Sequence, residues 1–154
     1  MPVGEDVATS SGMLIDTGFN ELTHSIIGAA IDVHNEVGPG ALESTYLPCL
    51  QFELAARKIR FEAQRSIPIH YKGITLVGAA YRIDLIVEGL VVIELKSVER
   101  VLPVHEAQLI TYLRSTNSPV GLLINFNVAK LTDGVKRLVN SRYVGPDGKP
   151  VQTS

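Results

Sequence analysis

The stretch YRIDLIVEGLVVIELK, Tyr81 to Lys96, decides the fold. It lies in two short runs rich in Val and Ile, Ala80 to Val87 and Leu90 to Val98, parted by Glu88-Gly89. Two such runs around a turn read as a β-hairpin. Leu90 to Ile93 is continuously apolar and leads into Glu94, Leu95 and Lys96. A run of that kind predicts a central strand buried on both faces. Three charges interrupt it: Asp84, Glu94 and Lys96. Glu94 and Lys96 are two apart and share one face with Val92, while Val91, Ile93 and Leu95 take the other.

Charges in such a place need partners. Burying an ion costs several kcal/mol unless it is paired or binds metal. Two carboxylates about 5 Å apart repel by roughly 3 kcal/mol at an effective dielectric near 20. Lys96 offsets part of this. A divalent cation offsets more, and hard oxygen ligands select magnesium or manganese over zinc. The same three charges also fit a buried ion pair with no chemistry. Strand parity constrains the choice. With a two-residue turn at Glu88-Gly89, position 84 would pair with 93, and Asp84 and Glu94 would face opposite sides. A shared site requires an odd loop, such as Glu88-Gly89-Leu90, or one bulge.

Outward from the hairpin, Phe61 to Tyr71 reads as a strand ending at the Lys72-Gly73 turn, and Ile74 to Val77 as a further short run. Toward the N-terminus, Leu22, Ile26, Ile27, Ala30, Val33 and Val37 form one helical stripe from about Phe19. Asn20 suits its N-cap, and Gly38-Pro39-Gly40 stops it. A second helix is expected from Glu43 to Lys58, with Pro48 either in its first turn or at a kink. Beyond the hairpin, Pro103 opens a helix over Val104 to Ser115, Val120 to Phe126 reads as a buried strand, and residues 130 to 140 as a short helix. The pattern predicts an α/β domain with a mixed central sheet flanked by helices. Its expected bounds are residues 18–143, between a flexible arm at 1–17 and a flexible tail at 144–154.

The chain has 154 residues, which suits one domain. Apolar residues make up 45% and can fill a core. Lys and Arg number 14 against 16 Asp and Glu, for a net charge of -2. That is not the basic footprint of a protein that holds nucleic acid by charge alone, although one local basic groove would suffice. Cys49 is the single cysteine, so no intrachain disulfide is expected. No leader pattern opens the sequence and no apolar run approaches the roughly 20 residues of a membrane helix. The expectation is a cytoplasmic protein with no membrane partner.

His105, Gln108 and Tyr112 share a helix face at steps of three and four. Glu43 and Tyr46 share another near a helix N-terminus, where a carboxylate also simply complements the dipole. His24, His34 and His70 form no group and read as surface or satisfied polar residues. Cys49 reads as packing. Patterns for a seryl hydrolase or a P-loop are absent.

Taken together, Gly40-x-x-Glu43-x-x-Tyr46, the core Tyr81 to Lys96, and Leu102-Pro-Val-His-Glu-Ala-Gln108 with Tyr112 resemble the GxxExxY protein family, grouped with the PD-(D/E)XK nucleases. The likeness runs from about Leu22 to Val139. It implies a restriction-endonuclease-like αβββαβ core. It implies that Asp84 and Glu94 hold Mg²⁺ or Mn²⁺, with the backbone carbonyl of Leu95 and with Glu43 from the preceding helix. Lys96 would orient the attacking water and stabilise charge on the phosphate. Gln108 and Tyr112 look like the QxxxY element that supports such sites. One departure is Ile83, which stands where the superfamily pattern has proline.

The expected activity is divalent-metal-dependent hydrolysis of phosphodiester bonds, in DNA ahead of RNA. A homodimer able to embrace a duplex is compatible with it. The alternative is a catalytically silent nucleic-acid- or protein-binding module that keeps the nuclease fold. Lys130, Lys136, Arg137 and Arg142, near the expected C-terminal helix, would offer such a module a modest phosphate-contacting patch.

Overall fold

A computed structural model describes residues 10–149, with side chains from Phe19 to Lys149. The first helix, α1, spans Ser10–Val37 and buries Ile26, Ala29, Ala30 and Val33. It begins well before the expected start at Phe19 and the expected cap at Asn20. The stripe explains this, because its steps of three and four run back from Ile26 through Leu22 and Phe19 to Ile15. Asn20 sits inside the helix, where its carbonyl accepts the Thr23 hydroxyl at 3.2 Å. Of the expected flexible arm, residues 1–9 lie outside the described residues, and the rest belongs to α1.

Gly38-Pro39-Gly40 ends α1 as expected. Gly38 and Gly40 take φ of 77 and 95, where a side chain would be strained. Helix α2, Glu43–Ala56, folds back along α1 and buries Tyr46, Leu50 and Leu54. Pro48 is its sixth residue, inside the helix and past the first turn, so the carbonyl of Ser44 loses its helical donor.

Five strands follow in the order β1-β2-β3-β4-β5. They are β1 Phe61–Tyr71, β2 Ile74–Val87, β3 Val91–Lys96, β4 Val120–Asn125 and β5 Val135–Val139. All neighbours are antiparallel except β3 and β4, which are parallel. A parallel pair needs a crossover, and α3, Pro103–Thr116, supplies it. One sheet face packs against α1 and α2 through Leu85, Val87, Val91, Ile93 and Leu95. The other packs against α3 through Ile83, Ile86, Val92 and Leu123. Helix α3 rests closely on β4, since a Cβ on Gly121 would lie 3.0 Å from the Leu109 methyls. Helices on both sides of a mixed sheet, in the order α2-β1-β2-β3-α3-β4, make this an α/β restriction-endonuclease-like fold.

Two further sequence expectations change. The runs Ile74 to Val77 and Ala80 to Val87 form one strand. Its pairing with β1 jumps from Pro68↔Ala80 to His70↔Thr75, so a bulge absorbs the residues between. The short helix expected over residues 130 to 140 is instead one 3-10 turn, Leu131–Gly134, followed by β5. All six residues of β4 are buried, and its edge away from β3 would otherwise leave backbone groups unpaired. β5 pairs with that edge, and that demand overrides a local pattern that reads equally as a helix turn. Gly134 is obligatory at the junction because a Cβ there would run into the Asn125 carbonyl.

Within the expected tail, residues 150–154 lie outside the described residues. Val144 is held by Asn117, whose Nδ2 donates to its carbonyl at 2.9 Å and whose Oδ1 accepts its N–H at 3.0 Å. Gly148 N–H closes a turn on the Gly145 carbonyl at 2.9 Å. Among the described residues, no helix is long and apolar enough to cross a membrane.

Candidate active site

The loop between β2 and β3 meets the parity condition. Val87 pairs with Val91, Ile86 with Val92 and Leu85 with Ile93, which leaves the three-residue loop Glu88-Gly89-Leu90. Leu90 N–H bonds the Val87 carbonyl at 2.9 Å, and Glu88 and Gly89 take φ of 52 and 67. The next position along the register sets Asp84 opposite Glu94. On the other side of β2, Gln64 takes φ of 52 and interrupts the ladder where it would face Asp84. The strict alternation of β2 is broken there, and Ile83 and Ile86 both reach the α3 side.

Asp84 and Glu94 hold one another through the backbone. Leu95 N–H donates to Asp84 Oδ2 at 2.8 Å, and Asp84 N–H donates to Glu94 Oε1 at 3.1 Å. Each carboxylate thus uses one oxygen to replace a ladder bond. The second oxygens, Asp84 Oδ1 and Glu94 Oε2, receive no hydrogen bond from any described residue. Lys96 is half-buried on the same strand face as Glu94. Among the described residues it makes no ion pair within 4.0 Å of either acid, so it acts on them through space.

The electrostatics follow from this arrangement. Glu94 is only 7% exposed. Burial first, and the neighbouring Asp84 charge second, push its carboxyl up to about 8. Asp84 is raised mainly by burial, against the lowering effects of the Leu95 N–H and Lys96. The Tyr112 phenol is pushed up by burial and then by the charges of Glu94 and Asp84. Negative charge is therefore under-compensated at one point beneath α3, the condition in which a cation is bound well.

Glu43 stands at the rim. It is exposed at the start of α2, its Oε2 accepts the Ser97 N–H at 3.4 Å, and its charge raises both Asp84 and Glu94. Tyr46 has a different task. Its hydroxyl donates to the Gly38 carbonyl at 2.5 Å and accepts the Ala41 N–H at 3.1 Å, while its ring stacks on Phe126 with centroids 4.3 Å apart. It fixes the turn that aims Glu43 at the end of β3. On α3, Tyr112 is buried beside the acids, whereas Gln108, one turn earlier, is exposed and makes no hydrogen bond to either acid. His105 accepts the Leu102 N–H on Nδ1 at 3.0 Å, so it caps α3.

Three further residues position the site. The Ser97 hydroxyl donates to the Ala41 carbonyl at 2.5 Å and ties the residue just past β3 to the turn before α2. Asn125, buried, accepts the Val98 N–H at 3.1 Å and donates to the Val98 carbonyl at 2.9 Å. Tyr81 meets Tyr112 with ring centroids 5.4 Å apart. A signal existed only for Asn125, an amide closing the otherwise apolar run from Val120 to Phe126.

Among the described residues, no three His, Cys, Asp or Glu side chains close into a ready-made metal cage. Magnesium does not require one, because it keeps several waters and takes one or two carboxylates. The two unpartnered oxygens fit that demand. The Leu95 carbonyl points the same way, since Leu95 N–H faces β2 while the Lys96 carbonyl accepts the N–H of Phe126, just past β4, and neighbouring residues of a strand alternate sides.

An αβββαβ core bearing two strand carboxylates and a lysine two residues after the second is the framework of a restriction-endonuclease-like protein. Residues 20–138 match the model of the PD-(D/E)XK nuclease superfamily, and the chain belongs to that superfamily. Its nucleases generally use divalent metals, and membership implies a nucleic-acid substrate. No curated protein and no solved structure matches the chain significantly.

Proposed function

We propose that this protein is a cytoplasmic, Mg²⁺- or Mn²⁺-dependent nuclease that hydrolyses phosphodiester bonds in DNA ahead of RNA. The observation that carries the reading is the placement of Asp84 opposite Glu94, each with one oxygen left over, on the strand that also presents Lys96. Asp84, Glu94 and the Leu95 carbonyl would hold the cation, which supplies charge neutralisation at the scissile phosphate. Glu43 would act at the rim, on water around the cation.

The remaining work falls to the chain. Lys96 has an ammonium that no carboxylate among the described residues pairs with, so it can hold a water in line with the phosphorus or stabilise charge on the phosphoryl oxygens. Tyr112 covers the acids from α3 and keeps bulk water from screening them. Gln108, exposed one turn away, is free to meet the substrate backbone. Asn125 and Ser97 keep the end of β3 rigid, so that these groups stay aligned.

A cleavage screen over single- and double-stranded DNA and RNA with Mn²⁺, using Glu94→Ala as control, tests the reading. Metal-dependent cleavage by the wild type and none by the variant is expected. A protein that neither gains thermal stability with Mg²⁺ or Mn²⁺ nor cleaves any nucleic acid would defeat it. That outcome would favour a silent binding module on the same fold.

A further inference from the structure

The hairpin of β1 and β2 runs on beyond the layers that bury its root. Every residue from His70 to Gly78 is exposed. Val77, lifted out by the bulge and followed by Gly78 at φ 78, is 101% exposed. From Ala63 to Ile83 there is no Asp or Glu, yet the segment carries Arg65, Lys72 and Arg82, with His70 between them. In a chain of net charge -2, this arm is a local concentration of positive charge. Its one ion pair among the described residues, Arg65 with Glu62 at 2.9 Å, is solvent-exposed and weak.

The placement of the cations discriminates between ligands. Residues paired across the strands share a face. Arg82 pairs with Ser66, so it lies on the face of Pro68 and His70. Arg65 pairs with Ile83 and lies on the opposite face, with Ile67 and Tyr81. Lys72 is at the tip, in a two-residue turn with φ of 53 at Lys72 and 78 at Gly73. A ribbon docking on a flat anionic surface gains from charge on one face only. A ribbon between two phosphate rails meets charge on both faces and at its tip. The major groove of a B-form duplex, about 12 Å wide, admits a two-stranded ribbon, whereas the deep, narrow major groove of duplex RNA does not. A second copy of this chain fits poorly along β1, because Pro68 and the left-handed Gln64 spoil that edge for strand pairing.

The arm is also in reach of the site. Gln64 falls in the break of the ladder next to Asp84, between the pairs Ala63↔Leu85 and Arg65↔Ile83, and Tyr71 is seven residues further out, about 23 Å at roughly 3.3 Å per residue. That is about two-thirds of a duplex turn of roughly 34 Å. We propose that the β1–β2 arm is a DNA-binding ribbon that enters the major groove about two-thirds of a turn from the phosphodiester presented to Asp84 and Glu94. The second half of that statement rests on the nuclease reading, while the binding itself can be measured without cleavage.

The test uses the full chain in EDTA, with fluorescence anisotropy on DNA and RNA duplexes of about two and a half turns. Wild type is compared with Lys72→Ala/Arg82→Ala and with the triple variant that adds Arg65→Ala. The double variant should bind DNA at least tenfold more weakly, and the slope of log affinity against log salt should fall by about 0.9 for each phosphate contact removed. Wild type should prefer the DNA duplex over the RNA duplex. An unchanged thermal shift with Mn²⁺ in the variants would show that fold and site are intact. Unchanged DNA affinity and salt slope would overturn the proposal. So would equal binding of wild type to anionic vesicles, or a change of oligomeric state on Val77→Asp with DNA binding untouched. If the arm variants lose DNA binding but wild type never cleaves with Mn²⁺, the nuclease reading falls and the arm stands. If cleavage is metal-dependent and the variants bind DNA as wild type does, the arm falls alone.

Discussion

Glu94 is the residue whose environment is least like water. Its carboxyl lies at about 8 in the folded chain, above the ordinary 4.5. A folded value above the unfolded one means that protonation favours the fold. The stabilising contribution is fully present below pH about 4.5 and is lost as pH rises through about 8. In EDTA, the wild type should therefore lose stability progressively relative to Glu94→Gln as pH rises across that window. Urea denaturation at several pH values would show it, and parallel curves for the two proteins would refute it. Protons compete with metal for the same oxygens, so metal-dependent cleavage should climb toward pH about 8. Lys96→Ala separates binding from chemistry. Cleavage should fall by about 10²–10³-fold, the usual loss for one charge-stabilising group, while the Mn²⁺ thermal shift persists because the acids are untouched.

At the scale of elements, the site depends on how the turn before α2 is pinned to β3. Tyr46 is fully buried, and its hydroxyl makes two hydrogen bonds within that turn. Tyr46→Phe keeps the stack on Phe126 but strands the Gly38 carbonyl and the Ala41 N–H. The expected cost is about 1–3 kcal/mol of stability, with reduced cleavage as Glu43 loses its aim. Chemical denaturation together with a cleavage rate would check both, and a stability loss with an unchanged cleavage rate would count against a positioning role. The β2–β3 loop is legible in the sequence as a condition, because parity allows only odd loops to bring Asp84 and Glu94 together, and Glu88-Gly89-Leu90 is such a loop. The segment at 130–140 reads locally as a helix because Leu131, Val135 and Leu138 keep helical steps, while the open edge of β4 lies outside any local pattern.

For the whole molecule, the two carboxylates lie between layers, beneath α3 and at the end of the sheet that α2 closes. A cation there binds the folded chain and has no preformed site in the unfolded one. Mn²⁺ at about a hundredfold above its Kd should add about 2.7 kcal/mol of stability. Glu94→Gln should abolish the gain, as read by melting temperature against metal concentration, and an undiminished gain in that variant would place the cation elsewhere. The long β1–β2 arm belongs to this scale too, since only the assembled molecule shows that its outer half finds no layer to pack against.

The sequence by itself determined the order of elements from Glu43 to Asn125, the central strand and the three charges within it. Each of these is written locally, in periodicity and in polar residues where apolar ones belong. Tertiary structure alone decided which backbone N–H each carboxylate accepts, the joining of Ser97 and Asn125 to the site, the identity of β5 and the exposure of the arm. Those are set by pairings between residues far apart in the chain, through backbone groups that every residue carries and that no side-chain pattern records.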